Sequence, residues 1–317
     1  KSYKPEPSIR VYIPKSNGKL RPLGIACYED KMVQLALKKI LEAIYEPRFL
    51  NCMYGFRPNR GCHDAIKELY KRLNNTKICY IVDADIKGFF DHMKHEWIIK
   101  FLYLYIKDPN IIGLVKKYLK VGVIDGGELM MNEEGSAQGN IISPILANIY
   151  MHNVLTLWYK FIITKECKGD NFLIVYADDF VAGFQYKWEA ENYYKLLKER
   201  MEKFGLQLEE SKSRLLQSGA YIARAKQKSG ESTRLETFDF LGFTFYCGRS
   251  RKGMPYIMPK TSSKKFRQKI RDIKVWIYAN RDQSLKKLMG MLNLKLVGHY
   301  RYYGISFNGR MISNYKQ

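Results

Sequence analysis

The chain has 317 residues, of which 46% are hydrophobic, 14% aromatic and 27% charged. This excludes a disordered chain, which would be poor in apolar and aromatic residues, and leaves room for a large core in roughly one to three domains. The 54 Lys+Arg against 31 Asp+Glu give a formal net charge of +23, which suits a polyanion: nucleic acid or an anionic membrane surface.

The membrane option is the weaker one. The most apolar long stretch, residues 141–163, is interrupted by Pro144, Asn148, His152, Asn153 and Lys160, so no run of about 18 apolar residues exists. The opening Lys-Ser-Tyr-Lys-Pro has no apolar signal core. Six scattered cysteines (Cys27, Cys52, Cys62, Cys79, Cys167 and Cys247) form no C-x-x-C pair, which argues against a zinc site or disulfide framework and for free thiols in a reducing cytosol.

In chain order, residues 8–25 (SIRVYIPKSNGKLRPLGI) predict two short strands around a Ser-Asn-Gly turn with cations on and beside it. Asp30 opens an amphipathic helix through Leu37, Ile40, Leu41 and Ile44 that Pro47 stops. A Gly- and Arg-rich loop, GFRPNRG (residues 55–61), leads into a helix over about 63–73. Residues 78–85 (ICYIVDAD) read as a strand ending in acids, and helical patterns follow from 95 to 121. A loop over 133–140 precedes an apolar helix to about Trp158. Residues 171–184 (NFLIVYADDFVAGF) predict two buried strands meeting at two acids. A charged helix over 188–205 follows, then strands near 206–216 and 238–246. After Pro259 the pattern turns purely helical, with Phe266, Ile270, Ile273 and Ile277 on one face and Lys264, Lys265, Arg267, Lys269, Arg271 and Lys274 on others. The expected class is therefore α+β, with a break between residues 1–258 and 259–317.

The acids are more informative than the cations. Asp178 and Asp179 adjoin one another between two of the most apolar segments, where mutual repulsion and burial both penalise ionisation. A hairpin tip would favour Asn-Gly or Asp-Gly, so turn chemistry is a poor reason for Asp-Asp. In VDADIKGFFD (residues 82–91), Asp83 and Asp85 are two apart and point to one face of a strand. If the two strands lie side by side, three or more carboxylates converge, and divalent cations would turn that liability into hard oxygen ligands for phosphoryl transfer.

These boxes resemble those of group II intron-encoded reverse transcriptases, or maturases. Tyr176-Ala177-Asp178-Asp179 resembles their YADD box. It follows IPKSNGKLRPLGI (13–25), YGFRPNRGCHDAI (54–66), DIKGFFD (85–91) and QGNIISPILANIYM (138–151), and precedes FGLQLEESKSRLL (204–216) and FDFLGFTF (238–245). LNLKLVGHYRYYGI (292–305) is similar to a segment of the maturase, or X, domain that forms the thumb. The resemblance implies a right-hand polymerase: fingers and palm with an antiparallel palm sheet over 1–258, then the start of a helical thumb over 259–317. It also implies that the chain is the reverse-transcriptase part of a longer protein. Gly135-Ser136-Ala137 departs from the family's usual G-T-P before the Gln138 box.

The same resemblance assigns roles. Asp85, Asp178 and Asp179 would be the catalytic trio and, with the Ile86 carbonyl, would hold two Mg²⁺ ions (Mn²⁺ as substitute). Asp83 competes for the first position, but the family's aromatic gate lies five residues beyond the metal-binding acid, at Phe90, which selects Asp85. Phe90 would stack under the incoming sugar. Lys15 and Arg21 would hold the nucleotide triphosphate, with Gln138 and Lys212 as further substrate contacts. Arg57, Arg60, Lys264, Lys265, Arg267 and Arg271 would touch nucleic acid, although Arg57 and Arg60 also suit a structural role in their loop. Tyr300, Tyr302 and Tyr303 would stack on bases or pack in the core. The implied partners are group II intron RNA, an RNA template with a DNA primer, and dNTPs; a second copy of the chain is a further candidate, and a membrane is not. The expected location is a bacterial cytoplasm. The rival reading is a splicing maturase that binds intron RNA without catalysis.

Overall fold

The structure is a computed structural model and describes residues 3–14, 20–131, 134–136 and 139–316. The chain opens with β1 (Ser8–Pro14) and β2 (Leu20–Ile25), paired antiparallel as the sequence predicts. Helix α1 (Tyr28–Tyr45) follows, then α2 (Cys62–Asn75) and β3 (Tyr80–Ala84). Three helices, α3 (Phe89–His92), α4 (His95–Tyr103) and α5 (Pro109–Lys120), lead to the short strands β4 (Val123–Asp125) and β5 (Glu128–Met130). Helix α6 (Ser143–Met151) continues through two π-helical turns, His152–Thr156 and Tyr159–Ile163, into α7 (Thr164–Glu166). The helical path thus outlasts its predicted end at Trp158.

Next come β6 (Asn171–Tyr176), β7 (Asp179–Phe184), α8 (Lys187–Lys203), β8 (Arg214–Gln217) and α9 (Ala220–Lys228). Strands β9 (Phe238–Phe240), β10 (Phe243–Arg249) and β11 (Pro255–Thr261) form a separate antiparallel sheet in the order β11-β10-β9. The chain closes with α10 (Ser263–Ala279), α11 (Leu285–Tyr303) and α12 (Gly309–Lys316). Ser262 caps α10 by accepting the Lys265 N–H at 3.4 Å.

The central sheet, ordered β6-β7-β3-β8, is antiparallel throughout. Side chains alternate between its faces. Val82, Ala84, Val175, Phe180, Ala182 and Phe184 enter a core shared with α4, α6 and α8, while Ile81, Phe172, Ile174, Val181 and Leu216 enter a second core with α2, α9 and β9–β11. Both faces are covered, which is why these strands read as nearly unbroken apolar runs. Only their ends can carry acids without burying them deeply.

Helix α1 corrects one detail of the sequence reading. Its buried stripe is Asp30, Gln34, Leu37, Leu41 and Tyr45, whereas Ile40 faces solvent. Asp30 can be buried because its carboxylate accepts bonds from the Tyr3 and Tyr118 hydroxyls, the Glu6 amide at 2.9 Å and the Cys27 thiol at 3.2 Å.

Candidate active site

The acids meet at one end of the central sheet. Asp83 of β3 lies opposite Val181 of β7, and Ala84 opposite Phe180; one further step sets Asp85 across from Asp179. Ala177 and Asp178 form the two-residue turn between the paired Tyr176 and Asp179. Ala177 has φ of 58°, the left-handed region that a residue with a Cβ enters at a cost of order 1 kcal/mol.

That turn is held from outside. The Val175 N–H donates to the Cys52 carbonyl and the Tyr54 N–H to the Val175 carbonyl, both at 2.8 Å, so the loop before Gly55 runs alongside β6. Gly55 then abuts the turn: a Cβ there would lie 2.5 Å from the Ala177 nitrogen. Asn148 of α6, fully buried, donates to the Gly55 carbonyl at 2.8 Å.

Burial and crowding set the electrostatics. Burial pushes the Asp179 carboxyl up to about 7, reinforced by Asp83, Asp178 and Asp85 and opposed by the Leu241 amide. Burial lifts Asp83 to about 6 despite Arg214, whose Nε stands 3.6 Å from its carboxylate. Asp178 is raised by burial and by Asp85, with Arg21 and Lys212 acting against the rise. The Lys212 ammonium bonds the Asp85 carboxylate and is itself raised mainly by that bond. Hard oxygens that crowd and repel one another have the donor chemistry a divalent cation needs. Among the described residues, however, no three His, Cys, Asp or Glu side chains close on one point as ligands, and Lys212 occupies one Asp85 oxygen.

Beyond Asp85 the chain pairs with the segment before β8. The Lys87 N–H donates to the Gln207 carbonyl at 2.9 Å and the Glu209 N–H to the Asp85 carbonyl at 2.8 Å, flanking an Ile86–Leu208 bridge. In that pattern the Ile86 carbonyl faces away from Leu208, toward the β7 side.

Phe90 lies on α3, half-buried, its ring edge-on to Phe89 at 5.5 Å. The loop ahead of Gln138 is fastened to it. The Ser136 N–H donates to the Phe90 carbonyl and the Gly135 N–H to the Met93 carbonyl, each at 2.8 Å, while His95 Nε2 donates to the Gly135 carbonyl at 2.6 Å. Gly139, with φ of 111°, lies so close to β2 that a Cβ would sit 2.3 Å from the Gly24 carbonyl oxygen. Lys15 and Gln138 themselves lie outside the described residues. Arg21 is exposed on β2, and its charge is felt at Asp178.

The remaining cations divide. Arg57 is buried: its guanidinium bonds both Glu46 carboxylate oxygens (2.8–3.1 Å) and the Leu50 and Met53 carbonyls at 2.8 and 3.1 Å. Those N–H groups are spent on the loop, the structural role that the sequence also allowed for Arg57. Arg60 is half-buried and bonds the Asn51 carbonyl and side chain, each at 2.8 Å. Lys264, Lys265, Arg267 and Arg271 are exposed on α10. Tyr303 is buried and Tyr302 half-buried, so these two pack against β9–β10.

A cleft of about 740 Å³ joins the two chemistries, with Asp179 and Gly242 on one side and Lys265, Lys269, Lys295 and Tyr302 on the other. Sequence reasoning missed Leu241 in its wall. The Leu-Gly turn between Phe-rich strands was the available signal, and Leu241 has φ of 49°.

Residues 13–245 match the family described as reverse transcriptase (RNA-dependent DNA polymerase). Among curated proteins, the chain is similar to the group II intron-encoded protein LtrA of Lactococcus lactis subsp. cremoris, 41% identical over 170 residues that cover 53% of this chain and 27% of LtrA. It is also similar to protein YkfC of Escherichia coli (strain K12), 40% identical over 153 residues (47% of this chain, 40% of YkfC). The mitochondrial nuclear intron maturase 1 of Arabidopsis thaliana is 30% identical over 93 residues (29% of this chain, 13% of that protein). The chain thus spans well under half the length of these relatives. Among solved structures, the apo telomerase of Candida tropicalis superposes with TM-score 0.58 at 13% identity, covering 83% of this chain and 50% of that one. The Candida albicans telomerase, solved with a telomeric RNA fragment, gives 0.55 at 14% identity, covering 95% and 54%. These likenesses show the fold, that of a right-hand polymerase.

Proposed function

The chain belongs to the reverse transcriptase family, and on that premise we propose that it synthesises DNA on an RNA template and, as part of a group II intron-encoded protein, binds intron RNA to assist splicing. The observation that carries this is the cleft in which Asp179, one of the crowded acids at the sheet end, meets Lys265 and Lys269 of α10. A pure RNA binder has no use for crowded, half-buried carboxylates facing a polyanion. Residues 1–258 would be fingers and palm, and 259–317 the start of a thumb.

Asp85, Asp178 and Asp179, with the Ile86 carbonyl, would hold two Mg²⁺ ions, and their mutual repulsion fits that role. Bound divalent ions supply Lewis acidity at the primer 3′-oxygen and the departing pyrophosphate. The chain's own residues do the rest. Arg21, and Lys15 beyond the described loop, neutralise the nucleotide triphosphate. Lys212 leaves Asp85 and turns its ammonium to phosphate. Phe90 lies under the sugar and excludes a 2′-hydroxyl. Lys264, Lys265, Arg267 and Arg271 track the backbone of an A-like hybrid.

The test is primer extension on an RNA template with dNTPs, using Asp178→Asn as control. DNA made by the unmutated chain and lost in the variant supports the polymerase. No extension by the unmutated chain, together with tight, specific RNA binding, would favour the non-catalytic maturase.

A further inference from the structure

Strand β6 pairs with β7 along one edge, and its other edge is the rim of the central sheet. Successive residues of a strand turn their N–H and carbonyl groups to alternate sides. The Val175 pair points outward, because it bonds Cys52 and Tyr54. Leu173, two residues earlier, points its own pair the same way. The chain beside β6 does not reach it. The single Met53–Val175 bridge is preceded by a turn, with the Met53 N–H on the Leu50 carbonyl at 3.1 Å. Among the described residues neither the Leu173 N–H nor its carbonyl has a hydrogen-bond partner, although Leu173 is only 5% exposed. A recessed peptide group left unpaired is rare and costly, and this one calls for a donor and an acceptor together.

The rim there lines a recess of about 380 Å³ that runs along residues 171–174 of β6. Glu68 and Arg72 of α2 line it from the layer on one sheet face, and Tyr159 of the helical path after α6 from the layer on the other. Cys52, bonded to Val175, closes one end. These sides are held in place: the Tyr159 hydroxyl donates to the Asn171 side chain at 3.0 Å. Arg72 spends its Nε on Glu68 at 2.7 Å, and its two other guanidinium nitrogens have no partner among the described residues. With Arg60 and Arg72 against Glu68, the lining carries net positive charge.

We propose that this recess is a docking site for an acidic, extended peptide segment of a protein partner, laid along β6 and paired with Leu173. A peptide unit carries a donor and an acceptor at the spacing that Leu173 presents. A phosphodiester backbone carries acceptors alone and leaves the Leu173 carbonyl unpaired. A second copy of β6 is set back between its own two layers and cannot enter. An acidic side chain of the docked segment meets the open nitrogens of Arg72. The inference does not depend on whether the chain makes DNA.

The probe is a labelled, end-blocked hexapeptide of alternating Glu and Val, titrated against the full chain. Its binding is read by fluorescence anisotropy and by amide hydrogen exchange. The Leu173 amide should gain at least about tenfold protection when the peptide is bound, while Val175, already bonded, keeps its own. The same peptide N-methylated at its central residues keeps its side chains but lacks the donors, and should bind at least about tenfold more weakly. Arg72→Ala leaves Leu173 untouched and should weaken the acidic peptide about tenfold, with little effect on a version carrying Gln for Glu. No gain of protection at Leu173 would mean an edge that is merely hydrated and would overturn the proposal. Equal binding of the N-methylated peptide, or an Arg72→Ala loss shared by the Gln version, would overturn it as well. Protection of Leu173 by an oligouridylate in place of the peptide would assign the recess to RNA, and the proposal would fall.

Discussion

The sheet end and the helical segment after β11 solve opposite problems with the same chain. At the sheet end every backbone segment near the acids is tied down: β3 and β7 lie between two cores, the Cys52–Gly55 segment runs beside β6, and Asn148 holds Gly55. In α10 no residue is buried, and Val275, Tyr278, Leu285 and Leu294 are each more than two-thirds exposed. The end of α11 is fixed through His299, Tyr302, Tyr303 and Asn308, and Tyr315 of α12 packs on His299. Chemistry that requires exact distances sits on the constrained region. The exposed cations of α10 sit on the loosely seated one.

The sharpest way to break this contrast is at the first acid. Asp85→Asn should reduce primer extension at least about a hundredfold, whereas Asp83→Asn, whose carboxylate already faces Arg214, should cost far less. Equal losses would mean that the two acids share the role. Next in size is stability. Arg57→Ala strands Glu46 and frees the Leu50 and Met53 carbonyls, and should cost on the order of 3 kcal/mol in denaturant unfolding. Arg271→Ala on exposed α10 should cost almost nothing, and a comparable loss there would erase the distinction between the regions.

A third prediction concerns acid. Burial, helped by Arg57 and Lys160, depresses buried His152 to about 4, below its ordinary value near 6.5. The unfolded chain therefore takes up a proton first, and stability falls as pH drops from about 6.5 to about 4, by on the order of 3 kcal/mol. Asp83 and Asp179, raised by burial, act the other way in this window, so the His152 loss is read as the difference between thermal melts of the unmutated chain and of His152→Asn. The smallest effect is on the α10 side. Template–primer affinity should fall steeply with salt, and Arg271→Ala should lower the log–log slope by about one.

How much of this was legible follows from the same contrast. The acid-bearing strands could be read because covering both sheet faces leaves apolar runs broken only at their ends. Strand β11 was missed because PYIMPKT carries two prolines. It lies at a sheet edge, where a missing N–H is tolerated, and it still buries Pro255, Ile257, Pro259 and Thr261 in alternation. Arg57 was ambiguous, since an arginine in a glycine-bounded turn looks the same whether it points inward or outward. Leu241 gave no sign of its partners, because a backbone amide leaves no mark on composition and its contacts come from distant segments. The convergence of the acids on one sheet end was readable; the Lys212 ammonium on Asp85 was not.

The backbone laid beside β6 has a consequence for association. β6 is the outer strand of its sheet, and an open strand edge invites pairing with another chain. Near the acids, the Val175 N–H and carbonyl are already taken by Cys52 and Tyr54. The sheet is therefore closed to strand addition at the point where a foreign strand would most disturb the YADD turn, and the approach left to a long partner is the cleft.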